Sequence, residues 1–368
     1  MKKTLLVTID FWPKVGGVAN YYFNLAKNLD QDRIFVLTTK DNDADDRDLN
    51  FKIVRKNLLL RLPVWPKWIC MFCHVLKMVK KEGIEMIWVG EVLPTGTVVY
   101  YLSKIFRIPY MVSCHGNDLL QARKVGRREK MAGKVLRAAK YVSVNSAHTG
   151  ELVKSFGVLR GNIKIVNPGV DPQKKEILSQ MNEKYDLKGK KILLSIGRLV
   201  ERKGFDRVIE VLPRVWKKYP DLVYVLIGSG SDEERLKNMI GNEKRIVFVN
   251  KKISEAEKWS WLGSSDLFIM PARSDGGDVE GFGIVYLEAN IAGLPVIAGR
   301  AGGVGEAVKD GVSGLLVDPE NSDEIYKAIV KMFENGEFMK KMGSMGKKRA
   351  SDEFSWFVIT QKFKELLK

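Results

Sequence analysis

The chain is poor in cysteine and histidine, with only three of each among 368 residues. Three cysteines cannot build a disulfide framework, which excludes the class of small disulfide-rich secreted domains. Cys70, Cys73 and His74 match the C-x-x-C-H pattern of covalent haem attachment. The segment has the pattern of a helix face, and no second Cys/His pair accompanies it. We therefore interpret the match as chance and expect neither haem nor a structural metal site.

Long apolar runs are also missing. No stretch approaches the roughly 18 residues that cross a bilayer. The start, MKKTLLVTIDFWP, carries a short apolar run that Asp10, Trp12 and Pro13 interrupt. It lacks the longer apolar region and small-residue cleavage site of a signal peptide. We interpret it as a first β-strand and expect a cytoplasmic protein.

Acidic residues are scarce in the first half of the chain, although the net charge of the whole is +17. Residues 1–170 hold 28 Lys/Arg against 14 Asp/Glu, whereas residues 171–368 hold 33 against 30. Eight basic and no acidic residues lie between positions 51 and 81, and eight basic residues oppose one glutamate between positions 121 and 140. Such a field favours an anionic partner: nucleic acid, a membrane surface or a phosphorylated substrate. The helix predicted over 67–81 either lies on a membrane or packs on its own sheet.

Short apolar runs alternate with helical segments throughout, which is typical of βαβ units and parallel sheets. We predict an α/β protein of two Rossmann-like domains facing across a cleft. The first domain covers 1–168 and the second domain covers 169–350, with the joint near 168–190. A last helix over 351–368 is expected to cross back to the first domain. Ligands of such sheets bind at the carboxyl ends of the strands.

The segment 271–303 is the most informative. It holds Glu280 and Glu288 eight positions apart, with a Gly-Phe-Gly turn and an apolar helical run between them. We expect Glu280 in the loop before the helix and Glu288 about two turns inside it, roughly 12 Å further along. Free N–H groups of residues 281–283 at the helix start would stabilise an anion. A sugar joined to a nucleoside through a diphosphate has this shape, with diols at both ends and negative charge between.

The segment GRLVERKG, residues 197–204, follows the first strand of the second domain. Its Arg198 and Lys203 suit a diphosphate, because they would stabilise the charge that builds on a departing leaving group. The alternative is a solvated basic turn. Arg202 is expected to point to solvent.

Other strand ends carry weaker signals. Gly16 and Gly17 open the first helix. They either let backbone N–H groups approach an anion closely or form a plain tight turn. His115 follows a strand and is either a hydrogen-bond donor or base, or a structural histidine. Asn250 and Lys251 are placed to meet a nucleobase. Two D-x-D matches, within residues 41–45, could hold a divalent metal, but we interpret them as a solvated acidic loop and expect no metal.

Over nearly its whole length the chain resembles glycosyltransferase family 4, retaining enzymes of the GT-B fold. The similarity rests on Gly16-Gly17, the His115-Gly116 turn, GRLVERKG, and EGFGIVYLEA with VIAGRAGG after it. The last is closest to the wording of bacterial mannosyltransferases that act on phosphatidylinositol or related lipids.

The resemblance implies a metal-independent enzyme without a cofactor, in which domain 1–168 binds the acceptor and domain 169–350 binds the nucleotide sugar. It implies attack on the face from which the leaving group departs, with the donor phosphate helping to take the acceptor's proton. It also implies roles by position. Glu288 would bind the ribose hydroxyls, Glu280 would contact the transferred sugar, and the backbone of Phe282, Gly283 and Ile284 would hold sugar hydroxyls and phosphate. Arg198 and Lys203 would bind the diphosphate, His115 would contact the donor sugar near the reacting centre, and Gly16-Gly17 would form a loop near donor phosphate and acceptor.

We therefore predict a transferase on the inner face of the membrane that moves a hexose from a nucleotide diphosphate sugar to a lipid-linked or glycan acceptor in cell-envelope synthesis. GDP-mannose is the favoured donor, followed by UDP-sugars, and the basic first domain would dock on anionic lipid. One alternative is a sugar-nucleotide epimerase on the same scaffold. Another is a non-catalytic protein that binds sugar nucleotides or nucleic acid, although nucleic-acid binding leaves the paired glutamates unexplained.

Overall fold

The computed structural model describes residues 1–14, 16–60, 66–171 and 181–368, and within them the chain forms two compact units. Unit 1 comprises Met1–Gly169 and Trp356–Lys368, and unit 2 comprises Val170–Ser355. Part of the joint expected near 168–190 lies outside the described residues. None of the helices within the described ranges has the length and apolarity needed to cross a bilayer.

Unit 1 is built on a parallel sheet of seven strands in the order β3-β2-β1-β4-β5-β6-β7. Every residue of β1 and β4 is buried, as expected for central parallel strands covered on both faces. The strands are β1 (Thr4–Val7), β2 (Ile34–Thr39), β3 (Lys52–Lys56), β4 (Met86–Val89), β5 (Tyr110–Cys114), β6 (Tyr141–Val144) and β7 (Ile163–Ile165). The helices in the first segment of the unit are α1 (Gly17–Asn28), α2 (Ile69–Glu82), α3 (Thr95–Phe106), α4 (Asn117–Arg123), α5 (Gly126–Ala138) and α6 (Ala147–Lys154).

Unit 2 has a parallel sheet of six strands in the order β10-β9-β8-β11-β12-β13. The strands are β8 (Lys191–Ile196), β9 (Leu222–Ile227), β10 (Ile246–Val249), β11 (Leu267–Met270), β12 (Val296–Gly299) and β13 (Gly314–Val317). The helices are α7 (Met181–Lys184), α8 (Phe205–Lys218), α9 (Glu233–Ile240), α10 (Glu255–Ser264), α11 (Ile284–Ile291), α12 (Val304–Ala307), α13 (Ser322–Glu334) and α14 (Gly336–Phe354). The two Rossmann-like folds with parallel sheets are confirmed.

In each sheet the direction of strand addition reverses beside the first strand, between β1 and β4 and between β8 and β11. Ligands of open parallel sheets bind at such a switch point, outside the carboxyl ends of the strands.

The tail differs from the prediction of one helix over 351–368. Helix α14 runs through Phe354, Ser355 adopts an extended backbone with ψ 145°, and a separate helix α15 covers Trp356–Glu365. Helix α15 belongs to unit 1 and packs on α1. Strand β3 has a weak apolar signal in the sequence, because three of its five residues are basic.

Candidate active site

The loops after β8 and β11 bring two cations and one carboxylate together in unit 2. Arg202 and Lys203 end a short 3-10 turn, Glu201–Lys203, that follows β8. The Lys203 ammonium donates to Oε2 of Glu280, and Arg202 Nη1 donates to the same oxygen at 2.7 Å. None of the three side chains is more than 12% exposed. We call these three residues the clamp.

A glycine allows the two loops to approach this closely. Gly204 has φ +72°, and a Cβ there would lie 2.1 Å from the carbonyl oxygen of Pro271, which directly follows β11. The Arg273 N–H then donates to the Arg202 carbonyl at 2.8 Å. Backbone contact between the loops therefore fixes the position of the clamp cations relative to the loop that carries Glu280.

The clamp carboxylate stays ionised despite its burial. Desolvation by itself would raise the pKa of Glu280, but Lys203 and Arg202 outweigh it and lower the pKa to about 2. The clamp thus pairs two cations with an ionised carboxylate, and an incoming anion would compete with Glu280 for their hydrogen bonds.

The prediction that Arg202 points to solvent is wrong. Besides its bond to Glu280, its Nε lies 3.2 Å from Oδ2 of Asp278. The side chain turns inward because the β11 loop, held against its backbone, presents these two carboxylates. Arg198 is exposed and makes no ion pair within the described part of the chain.

A buried ion pair underlies the clamp. Arg273 donates from Nη1 and Nη2 to the two carboxylate oxygens of Asp206, at 3.0 Å each, and these side chains are 8% and 6% exposed. Arg273 also donates to Glu201 in the 3-10 turn at 3.0 Å, and Arg235 donates to Asp206 at 3.2 Å. The sequence analysis missed this pair, although Arg273 lies three residues after the end of β11, where ligand-binding residues are expected.

The start of α11 is shaped to leave backbone donors free. Gly283 caps the helix with φ +86°, and a Cβ there would lie 2.4 Å from the ring of Tyr286. The N–H groups of Phe282, Gly283 and Ile284 have no backbone or side-chain acceptor among the described residues. Such groups at a helix start stabilise an anion.

Glu288 lies one turn inside α11 rather than the two turns expected, because the helix begins only at Ile284. It is 7% exposed, and Lys258 of α10 donates to its Oε1 at 2.7 Å. Lys258 was not recognised from the sequence. In the region after β10, Asn250 donates to Glu233 at 2.8 Å and Lys251 lies 3.5 Å from Glu257 of α10.

In unit 1, His115 directly follows β5 and belongs to an aromatic cluster. Its Nε2 lies 2.8 Å from the hydroxyl of Tyr22, and the rings of Tyr21 and Tyr22 meet its ring edge to face. Burial lowers the pKa of His115 to about 4. The imidazole is therefore neutral at physiological pH, and Tyr22 is a contact that the sequence did not indicate.

Glu91 occupies the switch point of unit 1 and was also missed. Its carboxylate accepts from the Thr8 hydroxyl, from the Ile9 N–H at 2.9 Å and from the Thr95 hydroxyl at 2.7 Å. It thereby fixes the end of β1, from which the chain runs toward exposed glycines at 16 and 17. A Cβ built on either glycine meets nothing within 4 Å, so the space around them is open.

Replacing Glu91 by glutamine is expected to flatten the pH dependence of stability. Burial raises the pKa of Glu91 in the folded state from its ordinary value of 4.5 to about 7. The folded state therefore binds more protons between these values, and the free energy of unfolding of the wild type falls as pH rises through that interval. Glutamine cannot ionise, so Glu91→Gln should gain stability relative to wild type across it.

Urea denaturation over pH about 5 to about 8 measures this difference. Glu129→Gln, at an exposed carboxylate of α5, is the matched control and should follow the wild-type slope. A wild-type decline that persists unchanged in Glu91→Gln would contradict the assignment.

Two family models match the chain in succession. "Glycosyltransferase Family 4" matches residues 15–174, and "Glycosyl transferases group 1" matches residues 179–349. The GDP-mannose-dependent alpha-(1-6)-phosphatidylinositol monomannoside mannosyltransferase of Mycolicibacterium smegmatis is 30% identical over 99% of this chain and 97% of its own length. The GDP-mannose-dependent monoacylated alpha-(1-6)-phosphatidylinositol monomannoside mannosyltransferase of Corynebacterium glutamicum is 27% identical over 100% and 98%.

Solved structures agree in fold at lower sequence identity. Anabaena HepE in complex with UDP superposes with a TM-score of 0.83 and 21% identity, over 99% of each chain. WaaG, a glycosyltransferase involved in lipopolysaccharide biosynthesis, gives a TM-score of 0.70 and 15% identity, over 99% of each chain. The predicted GT-B fold is thereby confirmed.

Proposed function

Because this chain belongs to glycosyltransferase family 4, we propose that it transfers a mannosyl group from GDP-mannose to a lipid-linked acceptor. That the chain is a glycosyltransferase follows from its family; the donor and acceptor are our proposal. The names of the two mannosyltransferases, similar over nearly their full length, support GDP-mannose and a phosphatidylinositol-type lipid. The single observation that carries the proposal for this chain's own site is the clamp, which stands at the switch point of unit 2.

The donor would lie along unit 2 from the clamp to Glu288. Lys203 and Arg202 would hold the diphosphate, and the free N–H groups that open α11 would add to them. Glu288 would accept from the ribose hydroxyls, with Lys258 fixing its orientation. Glu280 would exchange part of its contact with the cations for the hydroxyls of the mannosyl group. Asn250 and Lys251 would face the base, as the sequence predicts.

The chemistry would retain the anomeric configuration without a metal. Charge builds on the departing diphosphate, and Arg202 and Lys203 supply the positive charge that stabilises it. The acceptor hydroxyl would attack the face from which the diphosphate leaves, and a phosphate oxygen would take its proton. The clamp carboxylate has a pKa of about 2 and is already bonded to two cations, so it is a poor base for that step.

A basic surface of unit 1 supports docking on anionic lipid. Helices α2, α3 and α5 pack side by side. Ile105 at the end of α3 is 63% exposed, Phe106 is 40% exposed, and the Lys80 ammonium lies over the Phe106 ring. Apolar side chains among cations suit a membrane interface. The exposed basic residues of the three helices include Lys77, Lys80, Lys81, Lys104, Arg127, Arg128, Lys130 and Lys134.

Calorimetric titration with GDP and UDP, followed by transfer assays with GDP-mannose and a membrane extract, tests the reaction. We expect GDP to bind more tightly than UDP and mannose to appear in a lipid fraction without added divalent metal. Binding of neither nucleotide would remove the proposal. Product of inverted configuration would remove the retaining mechanism, and conversion of a sugar nucleotide to its epimer without acceptor would favour an epimerase.

Docking is tested separately with vesicles of phosphatidylcholine and phosphatidylglycerol. Replacing Arg127, Arg128, Lys130 and Lys134 by glutamine should reduce binding and its salt dependence. The matched control removes four exposed lysines of α14 in unit 2: Lys340, Lys341, Lys347 and Lys348. Equal losses in the two variants, or binding that ignores lipid charge, would contradict docking through unit 1.

A further inference from the structure

The hydroxyl of Tyr22 lies between two partners in unit 1. It contacts the carbonyl oxygen of Gly90, which directly follows β4, and it lies 2.8 Å from Nε2 of His115. Tyr22 is fully buried, so no bulk water competes for these bonds. The contacts form a short chain from the backbone at one strand end, through a phenol, to the imidazole at the next strand end.

Only one arrangement of protons satisfies this chain. A carbonyl oxygen can only accept, so the single hydroxyl proton of Tyr22 must point to Gly90. If it pointed to His115 instead, two oxygen atoms would face each other with no proton between them. The Tyr22 oxygen must then accept from the imidazole, and Nε2 must carry a proton.

We infer that Tyr22 is a positioning residue that holds His115 as the Nε2–H tautomer, with Nδ1 left as an acceptor. Burial supports this independently, because it raises the pKa of Tyr22 well above its ordinary value and lowers the pKa of His115 to about 4. The phenol keeps its proton and the imidazole stays neutral. Nδ1 of His115 has no hydrogen-bond partner within the described part of the chain.

The tautomer decides what the histidine can do, and this step rests on the proposed function. A neutral imidazole with Nε2 committed to Tyr22 cannot donate a proton from Nδ1 to a phosphate oxygen. It can accept a hydrogen bond at Nδ1 from a hydroxyl group. His115 would therefore orient a sugar hydroxyl by accepting from it, rather than stabilise the leaving group as a cation.

Two-bond ¹H–¹⁵N correlation spectra of the full-length, ¹⁵N-labelled protein test the tautomer. The chain has only three histidines, so the spectrum of His115→Gln assigns the His115 signals by their loss. We expect a protonated Nε2 and an unprotonated Nδ1, unchanged through neutral pH. An Nδ1–H tautomer, or an imidazolium at neutral pH, would overturn the inference.

Tyr22→Phe should release the ring to a mixture of tautomers and lower kcat/KM for transfer about tenfold, as expected for one lost hydrogen bond. Tyr21→Phe is the matched control. The Tyr21 ring contacts the same imidazole, but its hydroxyl donates to the carbonyl oxygen of Val166 at 3.3 Å. This variant should leave the tautomer and kcat/KM unchanged. If Tyr22→Phe and Tyr21→Phe showed the same ratio of His115 tautomers, the role of Tyr22 would be refuted. If the chain proved to bind no nucleotide, the spectra would still decide the tautomer, so the two failures are distinguishable.

Discussion

Lys203→Met is expected to lower the rate of glycosyl transfer by about a thousandfold. Methionine keeps the length and apolar stem of the side chain but removes the charge closest to Glu280. The departing diphosphate would lose one of its two clamp cations, and Arg202 alone would have to neutralise both it and Glu280. Because the lost interaction strengthens as the leaving group separates, kcat should fall more than KM rises. Steady-state kinetics with a saturating acceptor measure both constants.

Two comparisons make this result specific. Lys203→Arg keeps the charge and should recover a large part of the rate. Arg207→Met removes a cation four residues further on, in α8, which pairs with Glu210 and Glu320 and with no clamp residue. That control should stay within a few-fold of wild type. A Lys203→Met enzyme as active as the Arg207→Met control would show that the clamp does not stabilise the leaving group.

Arg273→Met is expected to lower the free energy of unfolding by about 3 kcal/mol, near the lower end for breaking a buried ion pair. The loss leaves the Asp206 carboxylate, which is 6% exposed, paired with Arg235 at 3.2 Å. The desolvation cost of that carboxylate remains after its bidentate partner is gone. Because Arg273 also joins the turn that carries the clamp, nucleotide affinity should fall as well.

Urea denaturation of wild type, Arg273→Met, Asp206→Asn and the double variant measures the effect and its coupling. The double variant should be less destabilised than the sum of the single changes, because it removes both charges together. Lys218→Met breaks an exposed pair with Glu334 in the same unit and should cost less than about 1 kcal/mol. If Arg273→Met cost no more than Lys218→Met, the buried pair would not hold the two loops together.

The sequence indicated which loops carry the site more reliably than which side chains meet there. Glu280 and Lys203 were chosen because glycines and strand ends flank them, and the structure brings these two together. Arg202 was misjudged because its direction depends on Asp278 and Glu280, which lie more than seventy positions away. Lys258 carries no local motif at all. Its importance follows from the packing of α10 beside Glu288.

The alternation of apolar runs and helices determined by itself that the chain forms two parallel α/β sheets, since period and burial are properties of local sequence. The sequence also indicated where the chain turns tightly, because Gly204 and Gly283 have positive φ values that other residues adopt only with strain. Only the tertiary structure decided the partners of the charged groups and the protons of His115. Those depend on which strand ends become neighbours, and in low-dielectric surroundings a few ångströms decide whether a charge is paired, and hence its pKa.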